Sequence, residues 1–278
     1  MRPWARVAVA ASFALGLAGP AQSEARGSPD VLVLGDSQLT FGAGVAFVDL
    51  LTKMAGECGL APDTTAGVIG VRSSSLLSWS GRTKSAKGAI CNVDPKWRVN
   101  AGAYGTLSQG ENPYVQIGKG AQFQFCSPER SPLQAVFRGG YYKPKLLIMF
   151  LMGNAAERWA DSPDAALQDA LAFTADLPAG LPCIFMTSAP TYGEKVVKLR
   201  QRAQDNIQSA FEQVGVCSFV PGFTAATIAE NLGNPANFRR KPSGSVKDPF
   251  HPTEAAAQRF LTLRRAALCT AIAKQLSP

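Results

Sequence analysis

The chain has 278 residues, 46% hydrophobic and 17% charged, which is enough apolar content for a packed core and too little charge for a disordered chain. With 28 basic and 20 acidic residues its formal net charge is +8, a bias towards anionic partners that does not itself point to nucleic acid. The single histidine excludes a multi-histidine metal site, so no metal or cofactor is expected and any histidine chemistry rests on that residue.

Residues 1–23 have the layout of a secretory leader. Arg2 and Arg6 precede an uncharged apolar stretch at 7–19, and Ala21-Gln22-Ser23 places small residues around a cleavage point. The apolar stretch is shorter than the ~20 residues of a membrane span. The expectation is therefore a periplasmic or secreted protein of residues 24–278, with no stable span after processing. Export makes the cysteines legible. Cys58, Cys91, Cys126, Cys183, Cys217 and Cys269 are an even set, and in an oxidising compartment disulfides are the default. Cys91 with Cys126 is the leading pair, because both lie in one loop-rich segment; Cys183 with Cys217 comes second.

Val31-Leu32-Val33-Leu34, stopped by Gly35, predicts a buried strand. Apolar residues at helical spacing over 45–54 (Val45, Val48, Leu51, Met54) predict a helix, with Gly59 as a stop. Further strands are expected at 66–70, at 146–152 where seven apolar residues stand in a row, at 183–186 and at 216–220. A helix before the last strand has Val196, Leu199, Ala203, Ile207, Ala210, Phe211 and Val214 on one face and Gly215 at its end. The closing helix starts at Thr253, a good N-cap, with Phe260, Leu263, Ala267 and Ala271 as its inner face. Buried strands alternating with helices mean a mainly parallel sheet covered on both sides, in which ligands bind at the carboxyl ends of the strands.

Residues 79–145 break this alternation. They hold ten basic against three acidic residues, nine aromatics and many glycines. Two alternating runs around Gly118-Lys119-Gly120 suggest a β-hairpin over 114–125. The stretch reads as a long insertion beside the sheet of a single domain. Its basic residues are scattered and form no recognised nucleic-acid module, so no nucleic-acid partner is expected.

Two short motifs carry chemistry. Gly35-Asp36-Ser37-Gln38 puts a serine after the first strand, at the carboxyl edge of the sheet. A serine hydroxyl needs a base to become a useful nucleophile. The only histidine, His251, lies in Asp248-Pro249-Phe250-His251 just before the last helix. Asp248 can turn back to accept the Nδ1 proton, which fixes the tautomer and leaves Nε2 to face the serine.

In these motifs, their order and their spacing over residues 31–275, the sequence resembles the SGNH hydrolases, also called the GDSL esterase/lipase family. The resemblance implies a flavodoxin-like three-layer α/β/α sandwich and hydrolysis or transfer of acyl esters. It implies Ser37 as nucleophile, with its own N–H in the oxyanion hole, and Asp248 and His251 as the other triad members. Gly70, in Gly70-Val71-Arg72-Ser73, corresponds to the family's glycine after the second strand and would be a backbone oxyanion donor. Asn154, in Met152-Gly153-Asn154-Ala155, would donate from its side chain. Two departures stand out: Gln38 replaces the leucine of the family's name, and Asn154 follows its glycine directly with no aspartate after it.

The expected substrate is a small acylated molecule or glycan. Aromatic faces can stack on sugars and cations favour anionic groups, which makes Trp79, Trp97, Tyr104, Tyr141 and Tyr142 of interest, with Arg72, Trp79 and Arg82 as substrate-binding residues. The leading expectation is an exported serine esterase that removes acetyl-like groups from a cell-envelope glycan. An acyltransferase with the same triad, a lipid esterase and a non-catalytic glycan-binding module stay open.

Overall fold

The computed structural model describes residues 28–81, 131–138 and 142–277. The leader at 1–23, the Cys91–Cys126 pairing, the hairpin at 114–125 and Arg82, Trp97, Tyr104 and Tyr141 lie outside the described residues. Five strands, β1 (Val31–Gly35), β2 (Ala66–Gly70), β3 (Leu146–Phe150), β4 (Cys183–Met186) and β5 (Ser218–Val220), form one sheet in the order β2-β1-β3-β4-β5. Every pairing is parallel. The first four strands are short apolar runs, as a sheet covered on both faces requires, and β5 adds Ser218 to Phe219 and Val220. The expected run at 146–152 is shorter as a strand, although Leu151 and Met152 stay buried.

Side chains alternate between two cores. Leu32, Leu34, Leu147, Met149 and Phe185 face α2 (Leu76–Ser80), α3 (Pro132–Arg138), α4 (Ala156–Asp161), α5 (Pro163–Ala175) and α6 (Glu194–Val214). Val31, Val33, Ile148 and Phe150 face α1 (Gly44–Thr52) and α8 (Glu254–Leu276). A short α7 (Ala225–Asn231) follows β5. The result is the three-layer α/β/α sandwich of flavodoxin-like topology. Its chain order reverses between β1 and β3, and ligands of such sheets bind in the crevice at that point.

The helices follow local signals. Ser162 caps α5 by accepting from the Ala165 N–H, with Pro163 in the first turn. Gly215 ends α6 in a left-handed conformation at φ 71°, and Thr253 caps α8. Two inner faces differ from expectation. On α6 the buried residues are Val197, Arg200, Ala203, Gln204, Ile207, Ala210 and Phe211, so polar Arg200 and Gln204 lie inward and Val197 is buried instead of Val196. On α8, Leu261 and Leu268 are inside and Leu263 is exposed.

Among the described residues, two disulfides close the fold. Cys183–Cys217 links β4 to the residue before β5, and Cys58–Cys269 ties the segment before β2 to α8 across 211 residues of sequence. The second pairing was not legible from spacing. Among the described residues, no helix is long and apolar enough to cross a membrane.

Candidate active site

β1 delivers the serine to the reversal point. Asp36 is buried, and its carboxylate accepts from the N–H groups of Gln38 (2.9 Å) and Met152 (3.4 Å), which ties the start of the turn to the end of β3. Burial pushes the Asp36 carboxyl above its ordinary range, against those two N–H groups and the positive charge of Arg200. Gln38 explains its own departure from leucine. Its amide donates to the Ala189 and Phe250 carbonyls (both 3.1 Å), and its oxygen accepts from the Ala189 N–H (2.9 Å). One buried side chain thereby fastens three loops, including the one that carries the histidine. The turn then kinks at Gly42, whose φ of 128° suits glycine; a Cβ there would lie 2.6 Å from the Glu254 Cα.

The histidine comes from the loop before α8. Asp248 Oδ1 accepts from the N–H groups of Phe250 (3.1 Å) and His251 (3.2 Å), curling the loop so that its carboxylate meets His251 Nδ1 at 2.9–3.0 Å. His251 Nε2 lies 2.7 Å from Ser37 Oγ. Arg239 approaches the other side of Asp248, with Nη2 2.5 Å from Oδ2. Burial would raise the Asp248 carboxyl, but the bonds from Arg239, His251 and the Phe250 N–H outweigh it and hold it below the usual carboxylate range. A serine hydroxyl so placed can pass its proton to a neutral imidazole whose other nitrogen is held by a carboxylate.

Phe41 fixes this arrangement from the side. Its ring lies 4.3 Å from the His251 ring, centroid to centroid, and both Arg72 and Arg239 place their guanidinium carbons 4.6 Å from its centre. Arg72 also donates from Nε to Thr40 Oγ1 (3.1 Å), whose hydroxyl donates to the Ser37 carbonyl (2.8 Å). Phe41 and Arg239 carry no sequence signal of their own, because nothing local shows which ring meets the histidine.

These groups open onto a cavity of about 430 Å³, a size suited to a small ligand. Of the expected residues, Ser37, His251, Arg72 and Asn154 line it, and Asp248 lies behind His251. Asn154 Nδ2 donates to the Ser74 carbonyl (2.8 Å), which leaves its second N–H for another acceptor.

Two expected residues are elsewhere. Trp79 is fully buried in the same core as Leu76 and Leu133, where α2 packs on α3 and α5, so it packs the fold and does not line the cavity. Gly70 ends β2 and does not line the cavity either. Val71, not Gly70, donates to the Gly35 carbonyl (2.9 Å). Successive N–H groups of a strand alternate sides, so that of Gly70 points away from β1 on an edge strand. What Gly70 supplies is clearance, since a Cβ would meet Leu39 Cβ at 2.8 Å and Thr40 Cγ2 at 2.9 Å. Three residues on, Ser73 lines the cavity with φ 64°, the one positive φ at a non-glycine among the described residues.

The cavity lining also includes groups that the sequence reading did not single out: Ser188, Gly153 and Arg200. Arg200 is 7% exposed, and burial brings its pKa down to about 10 although Asp36 opposes the shift, so it is protonated at neutral pH.

No protein-family model matches the sequence, and no curated protein matches it. Similar solved structures include a DUF4886 family protein from Bacteroides uniformis, 12% identical, with a TM-score of 0.51 over 91% of this chain and 88% of that one. Others are AlinE4, a SGNH-hydrolase family esterase (17% identical, TM-score 0.41, 91% and 99% covered), and a peptidoglycan O-acetylesterase (12% identical, TM-score 0.41, 89% and 92% covered). The last two likenesses are too loose to carry chemistry. At this level of identity the chain shares a fold with the DUF4886 family protein, and its chemistry has to be argued from its own side chains.

Proposed function

We propose that the chain is an exported serine esterase of the SGNH type that removes small O-acyl groups, acetyl above all, from a cell-envelope glycan. The observation that carries this reading is the unbroken chain of contacts from Ser37 Oγ through His251 to Asp248, open to a cavity at the sheet's reversal point. His251 takes the Ser37 proton as Oγ attacks the ester carbonyl. The tetrahedral oxyanion is held by the Ser37 N–H, the free N–H of the Asn154 amide and the backbone N–H at Ser73, in the role first expected of Gly70. His251 returns the proton to the leaving alcohol, and water then releases the acid from the acyl-serine by the same route.

The two disulfides support an oxidising compartment, in keeping with the leader-like residues 1–23. The arginines at the cavity favour a polar, partly anionic substrate over a lipid chain. The test is hydrolysis of p-nitrophenyl acetate, butyrate and octanoate by wild type and by Ser37→Ala. Acetate should be turned over, with a loss of at least ~10⁴-fold in the variant. Undiminished activity in Ser37→Ala, or a folded wild type inert to all three esters, would overturn the reading. Acetate released from an O-acetylated glycan, with and without an acceptor alcohol, then separates hydrolysis from transfer.

A further inference from the structure

We infer that Arg200 and Ser188 form a subsite for a carboxylate carried by the substrate, close to the ester that Ser37 attacks. This specifies the substrate class of the proposed esterase and rests on that reading for its link to an ester.

The observation is a pair of buried polar groups without partners. Arg200 reaches the cavity from α6, and its guanidinium lies against Gly153, where a Cβ would stand 2.7 Å from a terminal nitrogen. Its neighbours are the Phe250 ring, 5.7 Å from the guanidinium carbon, and the charge of Asp36, which makes no direct ion pair with it. Among the described residues, none accepts a hydrogen bond from its N–H groups. Ser188 is fully buried, lines the same cavity, and its Oγ has no partner among the described residues. An unmade bond at a buried polar atom is costly, and more so at a charged one. A fully buried hydroxyl and a nearly buried guanidinium, both lining the cavity and both without an acceptor or donor partner among the described residues, mark the place where a ligand supplies the bonds.

The chemistry of the donors selects the ligand. A planar guanidinium fork matches a carboxylate through two parallel N–H bonds, and a neighbouring hydroxyl adds a third. The charge of Asp36, felt by Arg200, opposes a doubly charged group, so a monoanionic carboxylate suits the site better than a phosphate monoester. Arg72, the other arginine at the cavity, is already held by Thr40 and Phe41.

The experiment uses matched esters: 4-acetoxybenzoate beside its methyl ester, and mono-(4-nitrophenyl) glutarate beside 4-nitrophenyl butyrate. In wild type, the anionic member of at least one pair should have a kcat/KM at least ten times higher, mainly through KM. Arg200→Gln should bring that ratio to about one. Arg200→Lys, which keeps the charge without the fork, should retain part of it. A wild-type ratio near one in both pairs, or a ratio that survives Arg200→Gln in folded protein, overturns the inference. So does tighter binding of 4-phosphonooxyphenyl acetate than of 4-acetoxybenzoate.

Calorimetric titration of Ser37→Ala with 4-acetoxybenzoate and with its methyl ester gives a readout independent of turnover. Selective binding of the acid, lost in Ser37→Ala/Arg200→Gln, supports the subsite even if no ester is hydrolysed, a result that removes the esterase reading alone. Ser37-dependent turnover of all esters without discrimination removes the subsite alone. Should Arg200→Gln fail to fold, Arg200→Lys and Ser188→Ala carry the test, each expected to lower the ratio several-fold and each overturning the inference if it leaves the ratio unchanged.

Discussion

Two sets of polar groups at the cavity follow opposite rules. In the set around Ser37, His251 and Asp248, each polar group already has its partner: Ser37 meets His251, His251 meets Asp248, Asp248 meets Arg239, and Arg72 meets Thr40. In the second set, Arg200 and Ser188 have none among the described residues. Partnered groups lose little mobility when chemistry begins, which is the meaning of a preorganised site. Unpartnered ones gain most when a ligand arrives, because only then is their lost hydration replaced. Under the proposed function, the first set would act on a bond and the second would choose which molecule brings it.

This contrast can be broken in order of expected effect. His251→Ala, like Ser37→Ala, removes a member of the connected set and should cost at least ~10⁴-fold in kcat while the fold is kept; activity within tenfold of wild type would end the assignment of that set to catalysis. Asn154→Ala should cost about 10²–10³-fold in kcat with KM little changed, the mark of a donor used in the transition state, and single-turnover acylation rates would show it.

Arg239→Gln should lower kcat by about three- to tenfold, since a half-exposed partner of a carboxylate contributes modestly. It also has a pH signature. The folded Asp248 carboxyl is held below its unfolded value of 3.8, so its contribution to stability is complete above that value and is lost as the pH falls through the lower folded one. Without Arg239 the folded carboxyl moves up towards the unfolded value, so this contribution shrinks and less stability is lost as the pH falls below 3.8, which acid unfolding followed by circular dichroism would detect.

Ser188→Ala gives the smallest effect and the sharpest contrast. Removing an unpartnered buried hydroxyl should leave the free protein as stable or raise its stability by about 1 kcal/mol, a Tm shift of about 2–4 °C. Removing a partnered one would lower it. A lower Tm for Ser188→Ala would therefore erase the difference between the two sets.

Much of this was legible in the chain. Continuous apolar runs located β1 to β4, because a strand buried on both faces has no polar side to interrupt it, and the mostly apolar stretch at 216–220 located β5 despite Ser218. Ser37, Asp248 and His251 were legible because the chemistry of each depends on a neighbour within three residues or on the end of a strand or helix. The apolar stripe misplaced part of the inner face of α6 for a related reason. A count of hydrophobic residues assigns Arg200 and Gln204 to water, yet both are buried. Gln204 is satisfied there by Thr187 and by the Phe223 backbone, and Arg200 faces the cavity.

The sequence by itself determined the layers, the sheet type and which chemistry-bearing groups, Ser37, Asp248 and His251, sit in turns at strand or helix ends, since these follow from local period, local turns and residue chemistry. Tertiary structure alone decided that Ser37 and His251, 214 residues apart, stand 2.7 Å from one another. It decided that Cys58 closes on Cys269, that Trp79 is core, and that Gly70 gives room where Ser73 faces the cavity. It also left Arg200 buried without an acceptor. The physical reason is common to all of these. They depend on the positions of atoms from distant segments once the sheet has assembled, and no local pattern encodes a distance across a fold.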